Sequence, residues 1–247
     1  MSVLRIFVWA LLGLASTALA ADELRFSLVR TAQTLTQGEY AWRHGDWQRP
    51  PPIDHVAVLV EHRGVRLLFG TGLGRQIDAQ WDAVIPWRIK RYGAVQSVRD
   101  QLERDGLSID RILLGCVRWE HASGLADYPE VPVFASEASL HYLRASSPPA
   151  VLPSQFVHAV RWQTLRFAPA PYQGYAQSLD LFGDGGVILV PLGRYGSVGL
   201  FLTLADGRRF FFRGDTPWRR DGAAAAPAIA ASQDGLGAPG FYPQWVQ

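Results

Sequence analysis

The residues best suited to chemistry stand in one stretch, 114–125 (LGCVRWEHASGL), which offers a thiol, a carboxylate and an imidazole at Cys116, Glu120 and His121. All three groups are competent zinc ligands. Arg118 stands among them, and a cation beside a metal site is unfavourable unless acidic neighbours offset it. From the residues alone, a polar loop with Cys116 buried and His121 hydrogen-bonded accounts for the stretch at least as well as metal binding. A second stretch, 211–216 (FFRGDT), ends an apolar run in Gly214-Asp215 and so sets a carboxylate at a strand terminus. Asp215 there either serves chemistry or caps the following turn. Asp180 and Asp184, in 179–186 (LDLFGDGG), belong to a turn whose glycines supply backbone freedom.

The elements around these stretches are legible from their periodicity. Residues 55–60 (HVAVLV) and 65–69 (VRLLF) are strand-like runs joined around Arg63-Gly64, as in a hairpin. A Gly-rich turn follows at 70–74 (GTGLG). It lacks the G-x-G-x-x-G spacing of a dinucleotide fingerprint and comes after a hairpin rather than a first βαβ strand. Val95, Val98 and Leu102 recur at helical spacing, so 95–105 is expected to be a helix stopped by Gly106. A strand is expected over 109–114, directly before the Cys116 loop, and another over 131–135, with a helix starting near Ser136. Strands over 187–190, 198–204 and 209–212 follow, the last two turning at Asp206-Gly207. Residues 26–45 mix strand-like and turn-like character, and Pro50-Pro51-Pro52 breaks any regular element. Strand pairs mixed with strand-helix units indicate packed sheets covered by helices.

Composition narrows the function classes. The 247 residues carry 24 basic and 22 acidic side chains, a formal charge of +2, which leaves no broad footprint for nucleic acid. The single cysteine, Cys116, excludes an internal disulfide and leaves a thiol that is buried, metal-bound or open to an intermolecular bond. Residues 1–20 have the order of an export signal: Arg5, an apolar run from Ile6 to Ala15, then Ala18-Leu19-Ala20 before Ala21. The apolar run is shorter than the ~20 residues a spanning helix needs. The expected organisation is therefore a signal at 1–20, one domain at 21–221, and an Ala/Gly/Pro-rich, poorly ordered tail at 222–247. The mature protein is expected to be periplasmic or secreted, without membrane attachment.

From about His55 to Trp218 the chain resembles the metallo-β-lactamase-fold hydrolases, in particular an exported, lactonase-like branch. The resemblance is carried by VRLLFGTGLG, ILLGCVRWEHASGL, VPVFASEASL, LDLFGDGGVILVPLG and GRRFFFRGDTPW. It implies an α/β fold, the αββα sandwich, here lacking its final elements. It also implies a site in which two zinc ions hold an attacking hydroxide. The family's His-x-His-x-Asp-His loop matches Cys116, Arg118, Glu120 and His121, and its bridging aspartate matches Asp215. Its next metal histidine, in a Gly-His-Thr-Pro-Gly loop, matches Arg194 in a loop about one residue shorter, and its early aspartate matches Gly70. The resemblance places a last metal histidine beyond Gly214-Asp215, past where this chain stops. The resemblance thus implies a metal set of Cys116, Glu120, His121 and Asp215, for one zinc ion or none, with Glu120 and Asp215 as catalytic carboxylates. Guanidinium has no acceptor to offer a metal. Arg118 and Arg194 are instead expected to replace metal charge, through Arg118–Asp215 or Arg194–Glu120 pairs, or to hold a small ligand.

Three functions follow. One is an impaired or inactive hydrolase of this fold, which still binds a small anionic ligand through its arginines. A second is a one-zinc hydrolase of lactones, esters or β-lactam-like amides. The third is a non-catalytic binding protein whose cleft uses some of Trp81, Trp87, Trp119, Trp162 and Trp218, residues that ordinary core packing also employs.

Overall fold

The computed structural model describes residues 23–34, 41–43, 46–48, 53–87, 90–214, 218–219 and 241–247, with backbone alone at 41–43, 46–48 and 218–219. The expected signal at 1–20, Asp215 and most of the tail lie outside the described residues.

The larger sheet contains β1 (Arg25–Gln33), β4 (Ile53–His62), β5 (Val65–Phe69), β6 (Arg111–Leu113), β7 (Val133–Ser136) and β8 (Trp162–Leu165), paired in that order. A short β13 (Trp218–Arg219) adds to the start of β4, and β2 (Ala41–Arg43) pairs only with β3 (Asp46–Gln48). β1, β4 and β5 are antiparallel neighbours, whereas β5 to β8 run parallel. The second sheet is antiparallel in the order β12-β11-β10-β9: Arg209–Arg213, Val198–Thr203, Val187–Pro191 and Leu179–Asp180.

Burial alternates along β4. Val58 and Val60 point into the layer between the sheets, with Phe26, Leu28, Phe69, Leu189, Leu200 and Phe212. Ala57 and Leu59 point the other way, toward Val98, Leu102, Ile112 and Ala122. Burial on both faces explains the unbroken apolar run that marks this strand in the sequence. The helices α1 (Ile77–Asp82), α2 (Val98–Arg104), α3 (Trp119–Ala122) and α4 (Glu137–Ala145) send residues to the apolar clusters on this second face. The helix expected over 95–105 starts at Val98 because the Ser97 hydroxyl accepts from the Asp100 N–H at 3.0 Å, an N-cap. The turn at Arg63-Gly64 takes left-handed φ of 50° and 71°, as a two-residue hairpin requires.

This is the expected αββα sandwich, with one difference in its last layer. Among the described residues, the outer face of the second sheet (Ile188, Val190, Phe201) is packed by Tyr172, Tyr175, Leu192 and Phe211 rather than by a helix. No described helix is long and apolar enough to cross a membrane.

The end of the stretch expected to lack order is placed. Phe26 and Val246 exchange backbone hydrogen bonds of 3.0 and 2.8 Å, and the Tyr242 N–H donates to Leu28 O at 2.8 Å. Phe241 and Val246 pack toward the inter-sheet core, while Tyr242 and Trp245 pack toward the helix-covered core. Residues 241–247 thus lie along the free edge of β1. The Ala/Gly/Pro bias of the segment before them masks these four apolar side chains, which bring their own reason to dock.

Candidate functional site

Sheet topology brings six short stretches to one end of the sandwich. The parallel strands β5 and β6 finish there just before Gly70 and Leu114, and β7 finishes there at Ser136. β4 runs antiparallel to β5 with Val58 opposite Phe69, so its first residues, including His55, start at the same end. The second sheet joins through Val198 N–H donating to Gly115 O at 2.8 Å and Gly214 N–H donating to Val198 O at 3.0 Å. This junction admits no side chain: a Cβ on Gly115 would stand 2.8 Å from Gly214 Cα, and one on Gly214 would stand 2.5 Å from Gly115 Cα.

The 115–127 loop is pinned by Thr71. Its N–H and its hydroxyl both donate to His121 O, at 2.8 and 2.9 Å, and the same hydroxyl accepts from Gly124 N–H at 3.0 Å. Gly70, where the resemblance expects an aspartate, has φ +67°, a conformation that disfavours any side chain. Arg118 is extended and ends the loop's entry, and the single turn of α3 then presents Glu120 and His121.

Arg118 Nη2 lies 2.9 Å from Glu120 Oε1; the Glu120 side chain is 10% exposed and that of Arg118 is 32% exposed. Glu120 Oε2 and Arg118 Nε are buried without a hydrogen-bond partner. Burial pushes the Glu120 carboxyl above its usual range; the Arg118 guanidinium, then a backbone hydrogen bond, then the charge of His55 oppose this. His55 is held down to about 4, first by burial, with His121 reinforcing and Glu120 and Asp54 opposing, so it is neutral near pH 7. The floor of this region is aromatic. Trp119 packs against Trp81, His55 and Tyr92 at centroid distances of 5.2, 5.7 and 6.2 Å.

Arg194 sits in a short turn after β10. Its Nη2 donates to the Tyr195 hydroxyl at 2.7 Å, and its guanidinium lies 4.6 Å from the Tyr195 ring centroid. The Arg118 guanidinium approaches the same ring at 6.0 Å. The expected Arg194–Glu120 pair does not form: Glu120 is taken by Arg118, and Arg194 is exposed on the tyrosine. The structure therefore gathers Arg118, Glu120 and His121, with Arg194 joined to them through Tyr195. Sequence reasoning did not single out His55, Tyr92, Thr71 or Tyr195 as site residues. His55 carried one usable signal, as a polar residue heading an apolar strand opposite the Gly70 turn.

These residues do not fit the metal centre that the fold family implies. Cys116 is fully buried and makes no disulfide. Among the described residues no three His, Cys, Asp or Glu side chains are arranged to hold a metal ion. The carboxylate best placed for one, Glu120, already faces a guanidinium.

No protein-family model matches the chain, and no curated protein sequence does. Solved structures do match. An N-acyl homoserine lactone hydrolase, solved with N-hexanoyl-L-homoserine at its catalytic metal centre, gives a TM-score of 0.54 at 13% identity, over 75% of this chain and 72% of its own. A probable metal-dependent hydrolase from Staphylococcus aureus gives 0.55 at 12% identity, over 79% and 74%. A quorum-quenching N-acyl homoserine lactone lactonase gives 0.52 at 13%, over 75% and 70%. At such identities the likeness establishes the fold, the metallo-β-lactamase sandwich.

Proposed function

We propose that this chain is a metallo-β-lactamase-fold protein in which Arg118 supplies the positive charge that metal supplies in working hydrolases, leaving hydrolysis impaired or absent. The supporting observation is the Arg118–Glu120 pair, 2.9 Å long and largely out of water. A carboxylate at that depth needs a cation or a proton, and a guanidinium within the same loop provides one without any ion. A zinc ion held by Glu120 would face that guanidinium as a like charge. Unit like charges about 4 Å apart repel by about 4 kcal/mol at an effective dielectric of 20.

One observation favours the one-metal alternative: Glu120 Oε2 is buried and unpartnered. The two readings separate in a turnover assay with a homoserine lactone and a chromogenic β-lactam. The parent protein is expected to hydrolyse neither. A variant carrying Cys116→His, Arg118→His, Glu120→Asp and Arg194→His is expected to gain zinc binding but not robust turnover, because Gly70 and the short Arg194 loop are unchanged and a catalytic constellation needs placement within about 0.5 Å. Zinc-dependent turnover by the parent overturns the proposal. Export belongs to the same proposal, with a mature amino terminus at Ala21 that sequencing of periplasmic protein would identify.

A further inference from the structure

We propose that Arg194 and Tyr195 form a binding subsite for an organic carboxylate beside the Arg118–Glu120 pair. The turn that presents them is built with care. Tyr195 is a non-glycine residue at φ 56°, a sterically disfavoured conformation that persists only where surrounding contacts fix it. Those contacts are present. Ser136 and Ser139 hydroxyls both donate to Gly196 O, at 2.6 and 2.7 Å, and the Ser197 hydroxyl donates to Arg194 O at 2.6 Å. Gly196 is pressed so closely on the start of α4 that a Cβ would meet Ser139 N at 2.2 Å. Ser136 also caps α4, accepting from Ser139 N–H at 2.9 Å, so the turn is locked to a helix terminus.

The charge on this turn has no described counter-ion. Arg118 is offset by Glu120, whereas Arg194 meets the hydroxyl and ring of Tyr195 and, among the described residues, no carboxylate. Two guanidinium groups thus approach one phenol ring, while among the described residues a single carboxylate, Glu120, pairs with one of them, Arg118. The Tyr195 oxygen accepts from Arg194, which leaves its own O–H to donate elsewhere. Together with the remaining N–H groups of the exposed Arg194, that hydroxyl gives a singly positive set of donors suited to the two oxygens of a carboxylate. Phosphate, with more oxygens and more charge, asks for more donors than this turn offers. The Tyr142 ring, 5.0 Å from that of Tyr195, adds an apolar wall against which an organic substituent can lie. The subsite rests on the proposed function in one respect, that Arg118 rather than a metal ion fills the neighbouring position.

Calorimetric titration of the mature protein with benzoate, its neutral isostere benzamide and inorganic phosphate, at constant ionic strength, tests this. Benzoate is expected to bind with Kd on the order of 1 mM, and benzamide and phosphate about tenfold more weakly or not at all. Arg194→Gln is expected to weaken benzoate about tenfold without moving the melting temperature, since the side chain is exposed. Ser139→Ala, which removes half the clasp on Gly196, should weaken benzoate by a smaller factor. Absence of benzoate binding at tens of millimolar (well above that Kd), equal binding of benzamide, tighter binding of phosphate, or full benzoate affinity in Arg194→Gln each overturns the subsite. Zinc content measured on the same preparation separates the failures. Zinc-free protein that ignores benzoate refutes the subsite alone, whereas stoichiometric zinc refutes the proposed function.

Discussion

Removing the Arg118 guanidinium leaves Glu120 without its cation, and the structure sets the size of the effect. A fully buried pair broken on one side costs about 3–5 kcal/mol, and an exposed pair about 0–1 kcal/mol. Glu120 is nearly buried but Arg118 is about one-third exposed, so Arg118→Ala is expected to cost about 2 kcal/mol near pH 8. The cost has a ceiling, because Glu120 can take a proton. Burial already raises its pKa and Arg118 is the leading influence that lowers it, so the variant's Glu120 titrates higher still. A carboxyl whose folded pKa lies above its unfolded value favours folding below the unfolded pKa and loses that contribution as pH rises through the folded one. The penalty of Arg118→Ala should therefore be small at pH 5 and grow toward pH 8. Urea melts of the parent, Arg118→Ala, Glu120→Gln and the double variant, at both pH values, measure this. Glu120→Gln in the Arg118→Ala background should restore most of the loss, because a neutral amide needs no cation. A loss below about 0.5 kcal/mol at pH 8, or a double variant as unstable as the two single losses added, would refute the reasoning.

Other outcomes follow from the same structure. His55, held down to about 4 by burial, should erode stability as pH falls from about 6.5 toward 4, because the unfolded chain takes the proton first; His55→Gln should flatten that limb of a pH-dependent melt. Asp127, raised to about 6 by burial, acts with the opposite sign, so Asp127→Asn should remove a loss of stability that appears as pH rises from about 4 through 6. Deleting residues 241–247 uncovers the β1 edge and removes four partly buried apolar side chains; a loss of roughly 4 kcal/mol by denaturant melt and concentration-dependent self-association by light scattering are expected. Gly115→Ala places a methyl group inside van der Waals contact of Gly214 and Phe69 and should cost about 3 kcal/mol, read by the same melt.

The fold was legible wherever burial imposes a period. β4, β5, β10, β11 and β12 are apolar on one or both faces, and the sequence shows them within a residue or two. β1 was less visible because Arg30, Thr31 and Gln33 interrupt its apolar pattern, although Phe26, Leu28 and Val29 are fully buried. The docked end of the chain was missed for a different reason: its four contact residues span only six positions behind a long biased segment, too short for any period to register. At the site, residue types identified Arg118, Glu120 and His121 as one group, but not which arginine would meet which acid. That pairing depends on the extended backbone at Arg118 followed at once by a helical turn, which folds residue 118 back on residue 120. Tyr195 was invisible because its importance comes from a left-handed backbone and from two serines 56 and 59 positions earlier, and no local pattern encodes either.

The central claim is that a protein side chain, Arg118, occupies the electrostatic role of the metal. Elemental analysis of the mature protein, purified without chelator and then dialysed against zinc, tests it most directly, with Arg118→Ala measured in parallel. The account predicts far less than one zinc per chain in the parent and a higher content in Arg118→Ala, where the repelling guanidinium is gone. One tightly held zinc per parent chain, lost on Glu120→Ala, would contradict it.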